Sequence, residues 1–128
     1  MNRFEPRPDA EVSSHMLEDD GVFPNNGRLP LIVYLGAFAV PEQDPATVIE
    51  AAFGANRWGN SWRDGVYGFH HYHSVAHEVL GVYRGTAKIQ FGGPQGIVLP
   101  VGRGDVVIIP AGVAHKNLGA SHDFALVG

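Results

Sequence analysis

From residue 78 onward the sequence is cut into short β-favouring runs: Glu78 to Arg84, Thr86 to Phe91, Ile97 to Val101, Val106 to Ile109 and Phe124 to Val127. Between them lie Gly85, the loop Gly92-Gly93-Pro94-Gln95-Gly96, and Gly102-Arg103-Gly104. Connections this short leave no room for the crossover helix that a parallel sheet requires. Together with Val66 to His73 upstream, the pattern predicts an all-β chain of antiparallel strands, hairpin following hairpin, closed into a jelly-roll barrel. An immunoglobulin-like sandwich is the weaker alternative, because the glycine spacing does not suit it and the sequence has no cysteine.

Composition narrows the function classes. At 128 residues the chain predicts one domain spanning 1–128. With 45% hydrophobic and 17% charged residues it is too apolar to remain disordered. The absence of cysteine excludes disulfides, thiolate metal sites and thiol catalysis, so any metal must be held by nitrogen and oxygen. A net charge of −4 without a basic run argues against nucleic acid and anionic membranes as partners. The longest apolar stretch, Leu29 to Val40, falls well short of the roughly 20 residues of a membrane helix, and the N-terminus lacks a signal-peptide pattern, so a cytoplasmic location is expected.

Residues 1–28, with prolines, acids and the turn cluster Pro24-Asn25-Asn26-Gly27, read as an N-terminal arm packed on the surface. Leu31 to Phe38 reads as the first strand. Asp44 as cap, Pro45 at the first position and Val48, Ile49, Ala52 and Phe53 on one stripe predict a single helix over 45–54.

The chain has seven histidines, and His70, His71, His73 and His77 crowd into eight positions. Along a strand, His71 and His73 share one face with Tyr67 and Phe69, while His70 faces the other way. Glu78 opens the following strand and His115 follows the turn Pro110 to Ala114, so both can return to the same space. Three imidazoles and a carboxylate suit iron, manganese, zinc, nickel or copper. His77 is the rival to Glu78, since a slip of one residue exchanges them. Tyr67 and Phe69 are candidates for lining a pocket, and Arg63 for meeting an anionic substrate. His15 and His122 read as surface residues, and Trp58 and Trp62 as anchors of a loop or an interface.

These residues resemble both diagnostic motifs of the cupins. Gly65, His71, His73, Glu78 and Gly85 stand at every spacing of the first, and Gly104, Pro110, Gly112 and His115 at those of the second. The asparagine that ends the second motif is absent. Gly119 stands there, with Asn117 two residues earlier. Phe23 to Asn26 and Phe69 to Ser74 are similar to a group of small, functionally uncharacterised bacterial cupins.

The resemblance implies a jelly-roll barrel with one divalent transition metal held inside by His71, His73, Glu78 and His115. It also implies a homodimer, which is expected independently if the apolar run Leu31 to Phe38 forms a sheet edge. Four protein ligands leave two octahedral positions open, so the expected function is a metal-dependent enzyme of dioxygenase or isomerase type acting on a small organic molecule. The alternative is a non-catalytic, metal-stabilised small-ligand-binding or sensor module. Similar proteins continue past the strand resembling Phe124 to Val127, whereas this sequence stops at Gly128.

Overall fold

The computed structural model describes residues 5–6, 10–19, 21–22, 25–55, 58, 63–64 and 76–128. Their strands are β1 (Glu5–Pro6), β2 (Glu11–Leu17), β3 (Asn26–Leu35), β4 (Phe38–Ala39), β5 (Arg63–Asp64), β6 (Glu78–Arg84), β7 (Thr86–Phe91), β8 (Ile97–Gly102), β9 (Val106–Ile109), β10 (His115–Ala120) and β11 (Ala125–Val127). One helix, α1 (Pro45–Ala55), interrupts them. A six-stranded sheet runs β2-β3-β9-β6-β11-β5, a three-stranded sheet runs β10-β7-β8, and β1 pairs with β4. Among the described residues every strand pairing is antiparallel. This is the all-β, one-helix, jelly-roll kind of fold that the glycine spacing predicts. Among the described residues no helix is long and apolar enough to cross a membrane.

The two larger sheets face each other across one apolar core. Strict alternation sends Leu80 and Val82 of β6, and Val107 and Ile109 of β9, inward to meet Ile89 and Phe91 of β7. Their neighbours Val79, Val106 and Ile108 point outward, where α1 lays Ile49 and Phe53 over the back of the larger sheet. The fit is close at Gly81, where a Cβ would stand 2.9 Å from Phe53 Cζ and 3.1 Å from Ile49 Cγ2. The missing side chain lets the helix sit on the sheet.

The structure corrects several readings of the sequence. The segment 1–28 is more than a surface arm, because residues 11–17 form β2 and pair along β3 from Glu11↔Leu35 to Leu17↔Asn26. The apolar strand β3 is consequently no sheet edge: β2 covers one side and β9 the other. Gly85, at φ +75°, does not close a hairpin. It turns the chain out of the six-stranded sheet and into the three-stranded one, and residues 102–104 carry it back. The segment after His115 also forms a strand, although Lys116-Asn117-Leu118-Gly119 has little intrinsic β preference. Its pairing with β7 decides the matter. Asp44 starts the helix with its carbonyl, which accepts from the Val48 N–H at 3.2 Å. Its φ of +47° is left-handed and unlike the extended backbone of a capping residue.

Candidate metal centre

Glu78 and His115 enter the interior from opposite sheets. Glu78 opens β6 opposite Ile109, on the inward face it shares with Leu80 and Val82. His115 opens β10 opposite the fully buried Phe91, so its ring takes the same inward direction from the other side. Their atoms meet, with Nε2 of His115 3.1 Å from Oε1 of Glu78. The histidine side chain is 3% exposed and the glutamate side chain 11%. On the far side of the ring, Nδ1 lies 3.4 Å from the Val113 carbonyl oxygen. A proton on Nδ1 directed at that carbonyl leaves Nε2 with its lone pair toward Glu78, the tautomer a metal ligand needs.

The spacing of this pair can be tested against an ion. Two donors each about 2.1 Å from one metal and at right angles to each other stand about 3.0 Å apart. The observed 3.1 Å fits such a shared ion. An imidazole nitrogen and a carboxylate oxygen in an apolar interior are also the donor types that first-row divalent ions take.

His71 and His73 lie outside the described residues, as do Tyr67, Phe69, His70, Gly65 and Trp62. Among the described residues no group of three or more potential ligands comes together. His77 is placed, and it is exposed. Its Nδ1 accepts a hydrogen bond from the Ala111 N–H at 2.9 Å, which ties the entry of β6 to the loop before His115. The β6 register therefore sends Glu78, and not His77, toward His115. Arg63 is engaged outside, where its guanidinium donates to Glu50 at 2.6 and 3.1 Å and to the Thr47 hydroxyl at 3.1 Å. That bond holds the Glu50 carboxyl below its ordinary range. His122 is exposed, as expected, but His15 is half-buried on the inward face of β2, opposite Leu31, with Nε2 3.1 Å from the Ser13 hydroxyl. Trp58 packs against the helix cluster.

The sequence reading missed one residue that matters here. Among the described residues the buried polar side chains are Asn25, 6% exposed, and His115, 2% exposed, and the first builds the approach to the second. The Asn25 amide donates to the carbonyls of Glu18, at 2.7 Å, and Gly92, at 3.1 Å, while its Oδ1 faces the Ala114 N–H at 3.4 Å. Asn26 adds a bond from its amide to the Ala111 carbonyl at 3.1 Å. Gly112, at φ +89°, lets the backbone pass so closely that a Cβ would stand 2.3 Å from the Asn25 carbonyl oxygen. The segment 110–114 is thus clamped to the β2–β3 turn on one side, and to β7 through the Gly92 N–H to Ala114 carbonyl bond of 2.7 Å. The signal available in the sequence was Pro24-Asn25-Asn26-Gly27, which registers as a turn and does not show what the turn touches.

No family model matches the chain. The uncharacterised protein YjlB of Bacillus subtilis is 42% identical to it over 120 residues, covering 94% of this chain and 70% of that protein. A crystal structure of a DUF861 family protein from Thermotoga maritima aligns with 70% of this chain and 93% of its own, at a TM-score of 0.41 and 17% identity.

Proposed function

The chain belongs to the family of the Bacillus subtilis protein YjlB, and for it we propose the function of a cupin-type barrel that binds one divalent transition metal and acts through it on a small organic molecule. The observation that carries this reading is the meeting of Glu78 and His115, from two different sheets, at 3.1 Å on the inward faces that the described apolar core fills. The residues that would hold the ion are these two together with His71 and His73, which the motif spacing supplies. Burying a carboxylate and an imidazole without compensation is costly, and a shared cation compensates both.

The chain's own groups have distinct tasks. The Val113 carbonyl orients the His115 ring, and the β6 register aims Glu78 at it. Leu80, Ile109 and Phe91 are the pair's strand neighbours on the inward faces and give that side of it an apolar setting. When bound, the ion supplies a Lewis acid or a redox centre, which is the chemistry of an isomerase or a dioxygenase.

The test is elemental analysis of protein purified without chelators, alongside Glu78→Gln, His115→Ala and the remote control Glu50→Gln. The expected result is about one transition-metal equivalent in wild type and in the control, and a loss of at least tenfold in affinity in the two site variants. Wild type without metal after incubation with iron, manganese and zinc, or site variants that load like the control, would refute it.

A further inference from the structure

The clamp on segment 110–114 uses both Asn25 and Asn26, but Asn26 also carries chemistry of its own. Its side-chain amide is a weak electrophile, and the backbone nitrogen of the next residue is the nucleophile closest to it in the chain. Of the six asparagines, at 2, 25, 26, 56, 60 and 117, only Asn26 is followed by glycine. Glycine puts no Cβ in the way of that nitrogen and lets the backbone bend toward the side chain.

The fold holds the two groups together. Oδ1 of Asn26 accepts hydrogen bonds from the N–H groups of Arg28, at 2.9 Å, and Leu29, at 2.8 Å, so the side chain lies folded back over the backbone of 27–29. Cγ, one bond from Oδ1, is thereby kept beside the Gly27 nitrogen. The same two N–H groups are placed to take the negative charge that gathers on Oδ1 when Cγ is attacked, as donors at an oxyanion do. Gly27 itself is exposed, and among the described residues a Cβ there would meet nothing beyond its chain neighbours within 4 Å. Residues 27–30 are also left out of the β2–β3 register, between Leu17↔Asn26 and His15↔Leu31, so no cross-strand partner fixes that stretch. Asn25 is the contrast: it is buried, its amide is spent on the carbonyls of Glu18 and Gly92, and the residue after it carries a side chain.

We infer that Asn26 is a site of spontaneous deamidation, and that its conversion releases the loop before His115 from the β2–β3 turn. The Gly27 nitrogen gives up its proton to base and bonds to Asn26 Cγ, and the Cγ–Nδ2 bond breaks with loss of ammonia. Water then opens the cyclic imide at either carbonyl, giving aspartate or isoaspartate, so the net change is gain of water and loss of ammonia. The structural effect follows from one bond. Nδ2 of Asn26 donates to the Ala111 carbonyl at 3.1 Å. A carboxylate has no donor to offer there and turns an acceptor toward an acceptor. The segment Ala111 to Ala114, which leads into His115, then keeps only its ties to Asn25, His77 and Gly92 among the described residues. The site rests on these contacts alone and does not depend on the metal reading.

Gly27→Ala isolates the reaction. Gly27 is outside the left-handed region and its Cβ position is open, so alanine fits the fold while its methyl group hinders the nitrogen. Wild type, Gly27→Ala and Asn26→Asp are incubated folded at mildly alkaline pH, with wild type in urea as the reference. Peptide mass mapping should show the amide-to-acid mass change at Asn26 in folded wild type, and about tenfold more slowly in Gly27→Ala. Hydrogen exchange at Ala111 to Ala114 should be at least about threefold faster in aged wild type and in fresh Asn26→Asp than in fresh wild type, and unchanged in aged Gly27→Ala. If Asn26→Asp does not fold, aged wild type carries the same comparison. Asn26 intact in the folded protein while it reacts in urea would overturn the inference. So would equal rates in wild type and Gly27→Ala, or conversion that leaves exchange at 111–114 as it was.

Discussion

Replacing Asn25 by alanine should cost this protein a large share of its stability. The side chain is 6% exposed and satisfies three backbone groups from three parts of the chain: the carbonyls of Glu18 and Gly92 and the Ala114 N–H. The Glu18 carbonyl lies in a partly open setting, where water can replace the amide, so its loss is small. The Gly92 carbonyl and the Ala114 N–H are in buried settings. Leaving a buried group unsatisfied costs about 1–3 kcal/mol; the long 3.4 Å contact at Ala114 counts at the low end. Asn25 also holds φ at +53°, which asparagine tolerates and alanine resists by about 1–2 kcal/mol. The sum is about 3–6 kcal/mol, a fifth or more of the roughly 5–15 kcal/mol that holds a domain folded. Asn25→Gly relieves the backbone part and should recover about 1–2 kcal/mol of the loss. Urea unfolding of wild type and both variants, with unchanged m-values, measures the differences. An alanine variant within about 0.5 kcal/mol of wild type, or a glycine variant no better than alanine, would show that the Asn25 clamp does not bear the energy assigned to it.

Gly112→Ala should be strongly destabilising, since its Cβ would meet the Asn25 carbonyl oxygen at 2.3 Å in a left-handed conformation, and thermal unfolding should show a clear drop in midpoint. His73→Ala and His115→Ala should lower metal affinity sharply, and like chelation of wild type should lower the melting midpoint only modestly, because Val82, Ile89 and Phe91 bury their side chains without help from an ion. Unfolding on chelation, read by circular dichroism, would instead favour a structural, metal-stabilised module. Glu50 titrates below its ordinary value of 4.5, chiefly because Arg63 hydrogen-bonds it. The pair therefore stabilises the fold fully above that value and ceases to do so as pH falls through the lowered one. The small deficit of Glu50→Gln in urea should be present at neutral pH and vanish in strong acid, and a deficit that grows on acidification would contradict the assignment.

The sequence alone determined the strands β6 to β9 and β11, because apolar runs bounded by glycine have one simple local solution. Glu78–Arg84, Thr86–Phe91 and Val106–Ile109 begin and end where the residues say they should. It also determined the helix over Pro45–Ala55, whose apolar stripe matches the face laid on the sheet. It singled out Glu78 and His115 as partners, since motif spacing is a local property.

Tertiary structure decided which strands pair. Gly85 reads as a hairpin turn, yet the backbone freedom that closes a hairpin also lets a chain pass from one sheet to the other, and only the competition among all pairings selects between them. β2 and β10 are polar and irregular in sequence; they are strands because β3 and β7 offer them unpaired edges. The burial of Asn25 was hidden for the same reason. An asparagine in a turn looks alike whether water or three distant backbone groups meet its amide, and Gly92 and Ala114 are 67 and 89 residues away from it along the chain.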